Sequence, residues 1–168
     1  MASNFTHLHV HTEYSLLDGL SNIRKLVAHV KNQGMDSLAI TDHGVMYGEI
    51  EFYKEAKNQG IKPILGMEGY ITNGDLTDRG DRSKNQNFHI LLFAKNNEGY
   101  KNLMKLSSIA HLDGYYYRPR MDHETLKKYS KGLIVTSACP QGEIGKALIL
   151  DNYKDAKKLA SWYLDTFG

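Results

Sequence analysis

A single cysteine, Cys139, stands in 168 residues, so no internal disulfide can staple this chain. A buried thiol or a metal thiolate are the two roles left to it. No run of eighteen apolar residues occurs, and the amino end lacks the pattern of a signal peptide. Both absences predict a soluble, cytoplasmic protein with no membrane partner. An excess of either charge is lacking as well, with 21 Lys and Arg against 19 Asp and Glu. A net charge of +2 permits a phosphate-bearing partner without demanding one. There are no internal repeats, and no Gly-x-Gly-x-x-Gly follows the first apolar segment, which argues against an open dinucleotide-binding sheet and for a barrel. The stretch from Asn73 to Asn87 is polar and charge-rich, and reads as a long surface loop.

Histidine is concentrated instead. His7, His9 and His11 alternate with Leu8 and Val10. In an extended strand, residues two apart share a face, so the three imidazoles form one row with Leu8 and Val10 on the core side. Imidazole is the commonest side-chain metal ligand, although an isolated His-x-His is as readily a surface strand.

Four further apolar runs carry ligand-type residues. Ser37 to Thr41 leads into Asp42-His43, and Ile61 to Gly66 leads into Met67-Glu68. His89 opens the run to Ala94, and Leu133 to Thr136 leads into Cys139. Strand ends are where α/β folds build their sites. Amphipathic helices lie between. Ile23, Leu26, Val27 and Val30 form one stripe, capped by Ser21 or Asn22 and stopped at Gly34. Met46, Ile50, Tyr53 and Ala56 form a weaker one, ended by Gly60. A third runs from Tyr100 to Ala110, and the cleanest from Ala156 to Phe167. Strand and helix alternate, so the class is α/β with a mainly parallel sheet.

His9-Val10-His11-Thr12, Thr41-Asp42-His43-Gly44 and Gly66-Met67-Glu68 together resemble the polymerase and histidinol phosphatase (PHP) family of metal-dependent phosphoesterases. Tyr14 to Gly19, Gly48 to Tyr53, Gly60 to Gly66, Tyr117-Arg118-Pro119-Arg120 and Ser137-Ala138-Cys139 narrow the resemblance. They are similar to the amino-terminal PHP domains of bacterial replicative DNA polymerase alpha subunits. The resemblance implies a distorted (β/α)7 barrel, with residues 1–168 as its amino-terminal portion. The family's downstream Asp-x-His motif is absent, so the barrel is expected to be incomplete and two ligands missing.

That resemblance also implies up to three zinc or manganese ions. His9 and His11 would share one ion with Glu68, which would bridge to a second ion held by His89 and Cys139. Asp18 and His43 would hold a third. His9, His11 and Glu68 would be catalytic, acting through a metal-activated water. His7 and Asp42 would support the ligands rather than bind metal. Arg118 and Arg120 would meet DNA, and Glu13 and Tyr14 could meet phosphates or bases. His29, His111 and His123 read as surface or capping residues. The implied partners are DNA, the remaining domains of the polymerase and a proofreading subunit. Three functions stay open: a 3′–5′ exonuclease or other phosphodiesterase, a structural metal-stabilised docking domain of the same polymerase, and a free-standing phosphomonoesterase resembling histidinol phosphatase.

Overall fold

A computed structural model of the protein describes residues 5–80 and 86–168. The positions 81–85 of the expected loop lie outside the described residues. Helix α1 (Ile23–Asn32) opens where the Asn22 side chain accepts from the Lys25 N–H. It closes through Gly34, whose φ of 75° lets the chain turn back. Strand β1 (Ser37–Ile40) is buried throughout, and α2 (Glu49–Gln59) follows it. Next come β2 (Lys62–Thr72), β3 (Asn87–Ala94) and α3 (Asn97–Leu112). The short β4 (Arg120–Met121) and α4 (His123–Lys128) lead to β5 (Leu133–Thr136), and α5 (Glu143–Ile149) and α6 (Tyr153–Phe167) complete the order.

The five strands form one sheet, with β1-β2-β3-β5 in sequence across it and β4 paired to β2. Strands β1 and β4 both run parallel to β2, while β3 is antiparallel to β2 and to β5. The α/β class agrees with the sequence. Among the described residues the sheet is open, and its third strand reverses the parallel order.

Alternation along β2 and β3 divides the molecule into two layers. Met67, Ile71, Ile90 and Leu92 point to one face and pack against Leu103, Leu106 and Ala110 of α3. Leu38 and Ile40 of β1 pack with Ile23 and Val27 of α1 and Phe52 and Ala56 of α2. The helices therefore cover the outer face. Ala39, Leu91 and Phe93 form a smaller cluster on the inner face. Glu68, Tyr70 and His89 share the parity of that inner face.

Strand β2 runs on to Thr72, well past the Gly66 where the sequence suggested an end. Its glycines serve close approach rather than a turn. A Cβ at Gly66 would meet the Phe93 ring at 2.7 Å, and one at Gly69 would overlap the Met121 side chain. The stripe expected on α2 holds at Ala56 but shifts by one position before it. Ile50 and Tyr53 are 56% and 46% exposed, and Glu49 and Phe52 face the core in their place. On α6 only Ala156 is buried, and Leu164 stays exposed.

The histidine segment is also not a regular strand. It follows the free edge of β1 through two backbone bonds, from the Ala39 N–H to the His7 carbonyl and from the Thr41 N–H to the Val10 carbonyl. Anchors three residues apart on one side and two on the other break the alternation. Leu8 is accordingly exposed, and only Val10 packs on the core.

Candidate metal centre

Five segments converge at one end of the inner face. The strand-like segment supplies His9 and His11, and the turn after Thr12 supplies Asp18. His43 follows β1 and bridges to Glu68 in the middle of β2. Cys139 follows β5. His89 lies near the start of β3, and its antiparallel direction brings a strand opening to the place where β1 and β5 end. Tyr70 pairs with His89 across the strands, so Glu68 and His89 are two residues out of register on one face.

Asp42 holds this end together. One of its carboxylate oxygens accepts from the Thr12 N–H at 2.6 Å and from the Ser15 hydroxyl at 2.8 Å, and the other accepts from the Thr12 hydroxyl. The His43 N–H then donates to the Ser15 hydroxyl oxygen. Asp42 thus ties the first turn to the end of β1, and touches no imidazole in doing so.

Glu68, 1% exposed, is ringed by four imidazoles. Its Oε1 lies 3.2 Å from His9 Nε2 and 2.9 Å from His89 Nδ1. Its Oε2 lies 3.5 Å from His11 Nε2 and 2.6 Å from His43 Nδ1. Cys139 Sγ is 3.6 Å from His89 Nδ1, and Asp18 Oδ2 is 3.1 Å from His43 Nε2. With metal–nitrogen bonds of roughly 2.0–2.1 Å and zinc–sulfur bonds of about 2.3 Å, neighbouring donors of a tetrahedral ion stand roughly 3.3–3.8 Å apart. Most of the observed separations fall close to that range.

The electrostatics follow from crowding. Burial opposes charge on Glu68, but the His43 and His89 rings, 2.6 Å and 2.9 Å from its oxygens, outweigh it and hold the carboxyl far below the usual range. The same contact with Glu68 raises His43, against burial. His11 is lowered by burial and by the neighbouring His43. Even so, Glu68 Oε2, His43 Nδ1 and His11 Nδ1 are buried with no hydrogen-bond partner. When a neutral His43 donates its Nε2–H to Asp18, Nδ1 turns its lone pair on a carboxylate oxygen 2.6 Å away. A cation between the two relieves that conflict. Two donor groups fit one: His9, His11 and Glu68, and Glu68, His89 and Cys139, each with ligand atoms within 4.8 Å of one another. Imidazole, carboxylate and thiolate together suit a divalent metal ion.

The family model for the PHP domain matches residues 7–168. The chain belongs to the PHP domain family. Over 97% of its length it is 51% identical to the DNA polymerase III subunit alpha of Helicobacter pylori, of which it covers 14%. It is 49% identical over 99% of its length to that of Borreliella burgdorferi, covering 15%. The chain therefore spans only a small part of the curated relatives it matches. A solved amidohydrolase from Chromobacterium violaceum overlaps 62% of this chain and 34% of its own, at 20% identity and a TM-score of 0.43, a likeness too slight to bear on function. Among the described residues no helix is long and apolar enough to cross a membrane.

The remaining sequence candidates of this PHP domain divide. Arg118 is exposed and sits 5.4 Å above the Tyr70 ring, beside the imidazoles. Arg120 is a correction. It is fully buried, and its guanidinium donates to the carbonyls of Gly114, Leu76 and Asp78, so it anchors the loop after β2 and has no face for DNA. His7 is exposed, and its ring meets Phe5 edge-on. Glu13 accepts from the Asn22 side chain and Tyr14 donates to Glu51, so both serve the fold. His123 caps nothing. Its ring lies 3.2 Å from Glu143 and edge-on to Trp162. Sequence reading missed Tyr70, whose ring packs beside both His43 and His89. Its parity with Glu68, two residues away, is the signal that could have found it.

Proposed function

We propose that residues 1–168 are the amino-terminal PHP domain of a bacterial DNA polymerase III alpha subunit, and that the site around Glu68 removes 3′ nucleotides from single-stranded DNA with a divalent metal. One observation carries this reading: a buried carboxylate surrounded by four imidazoles, with a thiol and a second carboxylate at its margins. His9, His11 and Glu68 would hold one ion; Glu68, His89 and Cys139 a second; Asp18 and His43 a third. Bound there, divalent ions supply water activation and charge neutralisation on phosphoryl oxygens. The thiolate of Cys139 favours zinc at its position over manganese.

The chain's own residues supply the rest. Asp42, through Thr12 and Ser15, fixes the turn that presents Asp18. Tyr70 backs His43 and His89 and supports Arg118, whose guanidinium would bind a phosphate next to the imidazoles. DNA, the other polymerase domains and a proofreading subunit are the partners this reading implies, in the cytoplasm.

The test uses the full-length alpha subunit. Metal analysis should find tightly held zinc or manganese, and the loaded protein should release 3′ nucleotides from single-stranded DNA. His9→Ala should abolish release without unfolding the domain, since His9 is a partly exposed side chain outside the core. A second reading has its own support. The side chains meeting at Glu68 come from segments far apart in the sequence, so an ion held by them would also stabilise the fold as a structural docking domain. Metal-loaded protein that releases nothing, yet loses stability on chelation, would establish that reading instead.

A further inference from the structure

A row of three clefts passes over the imidazole cluster. The first, about 370 Å³, is lined by Leu16, Leu17, Val45 and Tyr47 together with Asp18 and His43. The second, about 330 Å³, is lined by Tyr117, Gln86, Gln141 and Lys146. These two share Tyr70, His89 and Arg118 as their common wall. The second opens past Gln86, Phe88 and Lys146 into a third of about 620 Å³, which reaches Trp162 and Lys158. Each volume falls in the range of roughly 300–1,000 Å³ typical of small-ligand sites.

The walls differ in chemistry along this row. Leu16, Leu17 and Tyr47 are 80%, 88% and 62% exposed, and they form an apolar lip a few residues from a metal-type donor, Asp18. Single exposed leucines are ordinary on a protein surface. Two leucines and a tyrosine lining a cleft that also carries His43 and Arg118 offer apolar surface for a flat base and polar groups for its phosphate. The second cleft is polar, and has a cationic side chain at each end: Arg118 toward the first cleft and Lys146 toward the third.

We propose that these clefts are one track for single-stranded DNA, with the 3′-terminal nucleoside against Leu16, Leu17 and Tyr47, its phosphate under Arg118, and the preceding nucleotides passing Gln141 to Lys146. Polarity follows from the layout. The first cleft joins the others on one side only, through Tyr70, His89 and Arg118, so it suits the end of a strand. The second cleft continues to the third, so it suits a strand that goes on. The inference rests on the proposed nuclease reading for the choice of the 3′ end.

Photocrosslinking to the full-length alpha subunit tests it. Eight-residue oligothymidylates with phosphorothioate linkages would carry one 4-thiothymidine, either at the 3′ terminus or three residues before it. The terminal probe should crosslink to peptides containing residues 16–17 or 45–47, and the interior probe to peptides containing 117–118 or 146. Arg118→Ala should lower both yields roughly tenfold, as expected for a charge-assisted phosphate contact, and Arg118→Lys should restore part of them. Lys146→Ala should lower only the interior yield. Crosslinks confined to other regions of the subunit, or yields indifferent to Arg118 and Lys146, would overturn the track. Nucleotide release, scored in parallel on an unmodified oligonucleotide, separates the two ideas. Release without these crosslinks removes the track alone, and crosslinks without release support the track while removing the nuclease.

Discussion

Glu68, Arg120 and Glu49 are buried ionisable side chains, and each is accommodated in a different way. Glu68 is surrounded by donors that keep it ionised. Glu68→Gln should leave the backbone in place and remove bound metal, because an amide cannot span two donor sets as an anion. Metal analysis of the purified variant checks this. Arg120 reaches three carbonyls, so Arg120→Met should cost roughly 2–4 kcal/mol of stability by stranding them, with metal content unchanged. Denaturant unfolding and metal analysis of one sample separate the two effects. Glu49 has only the Gly66 N–H on one oxygen and nothing on the other. Burial pushes its carboxyl up to about 9, with the Gly66 bond acting weakly against it. The folded state therefore holds a proton that the unfolded chain has released. The stability this group contributes is complete below its ordinary pKa of 4.5 and is lost as pH rises toward about 9. The slope cannot exceed about 1.4 kcal/mol per pH unit for one group. Urea unfolding from pH 5 to 8.5 should show that decline in the native chain and a flatter profile in Glu49→Gln.

At the scale of elements, the end of β5 is under tension. Ala138 has a φ of 56°, a left-handed conformation that costs a residue with a Cβ roughly 1–2 kcal/mol. It directly precedes Cys139 and sets the direction in which the thiol leaves the strand. Ala138→Gly should relieve that cost, less about 0.5–1 kcal/mol for the added freedom of the unfolded glycine. A net gain near 0.5 kcal/mol in unfolding free energy is expected, read by denaturant titration. The same segment gives a chemical readout. With metal bound, the Cys139 thiolate is occupied, and a strong chelator should make it more reactive toward an alkylating reagent. Equal alkylation rates with and without chelator would assign Cys139 to packing alone.

For the whole molecule, the convergence of distant segments on Glu68 links metal binding to folding, because the unfolded chain has no such site. At a free metal concentration about a hundred times the dissociation constant, linkage supplies about 2.7 kcal/mol. In a chain of this size 1 kcal/mol moves Tm by roughly 2–4 °C, so stripping the metal should lower Tm by about 5–10 °C. Scanning calorimetry of the loaded and stripped protein checks it. The sequence by itself determined the candidate donors and most of the elements. His9, His11, His43, Glu68, His89 and Cys139 are recognisable as candidate ligands because metal chemistry restricts ligands to few residue types, and helices α1 and α3 because their apolar spacing and caps are local signals. Tertiary structure decided what depends on contacts between distant residues. The reversal of β3, which delivers His89, leaves no mark in the strand's own pattern, since apolar alternation is the same in either direction. The continuation of β2 through Gly66 and Gly69 depends on Phe93 and Met121 approaching from other segments. Arg118 and Arg120 look alike in the sequence, and only contacts with distant residues separate them: Arg120, inside β4, reaches the carbonyls of Gly114, Leu76 and Asp78, and Arg118, before the strand, lies over the Tyr70 ring.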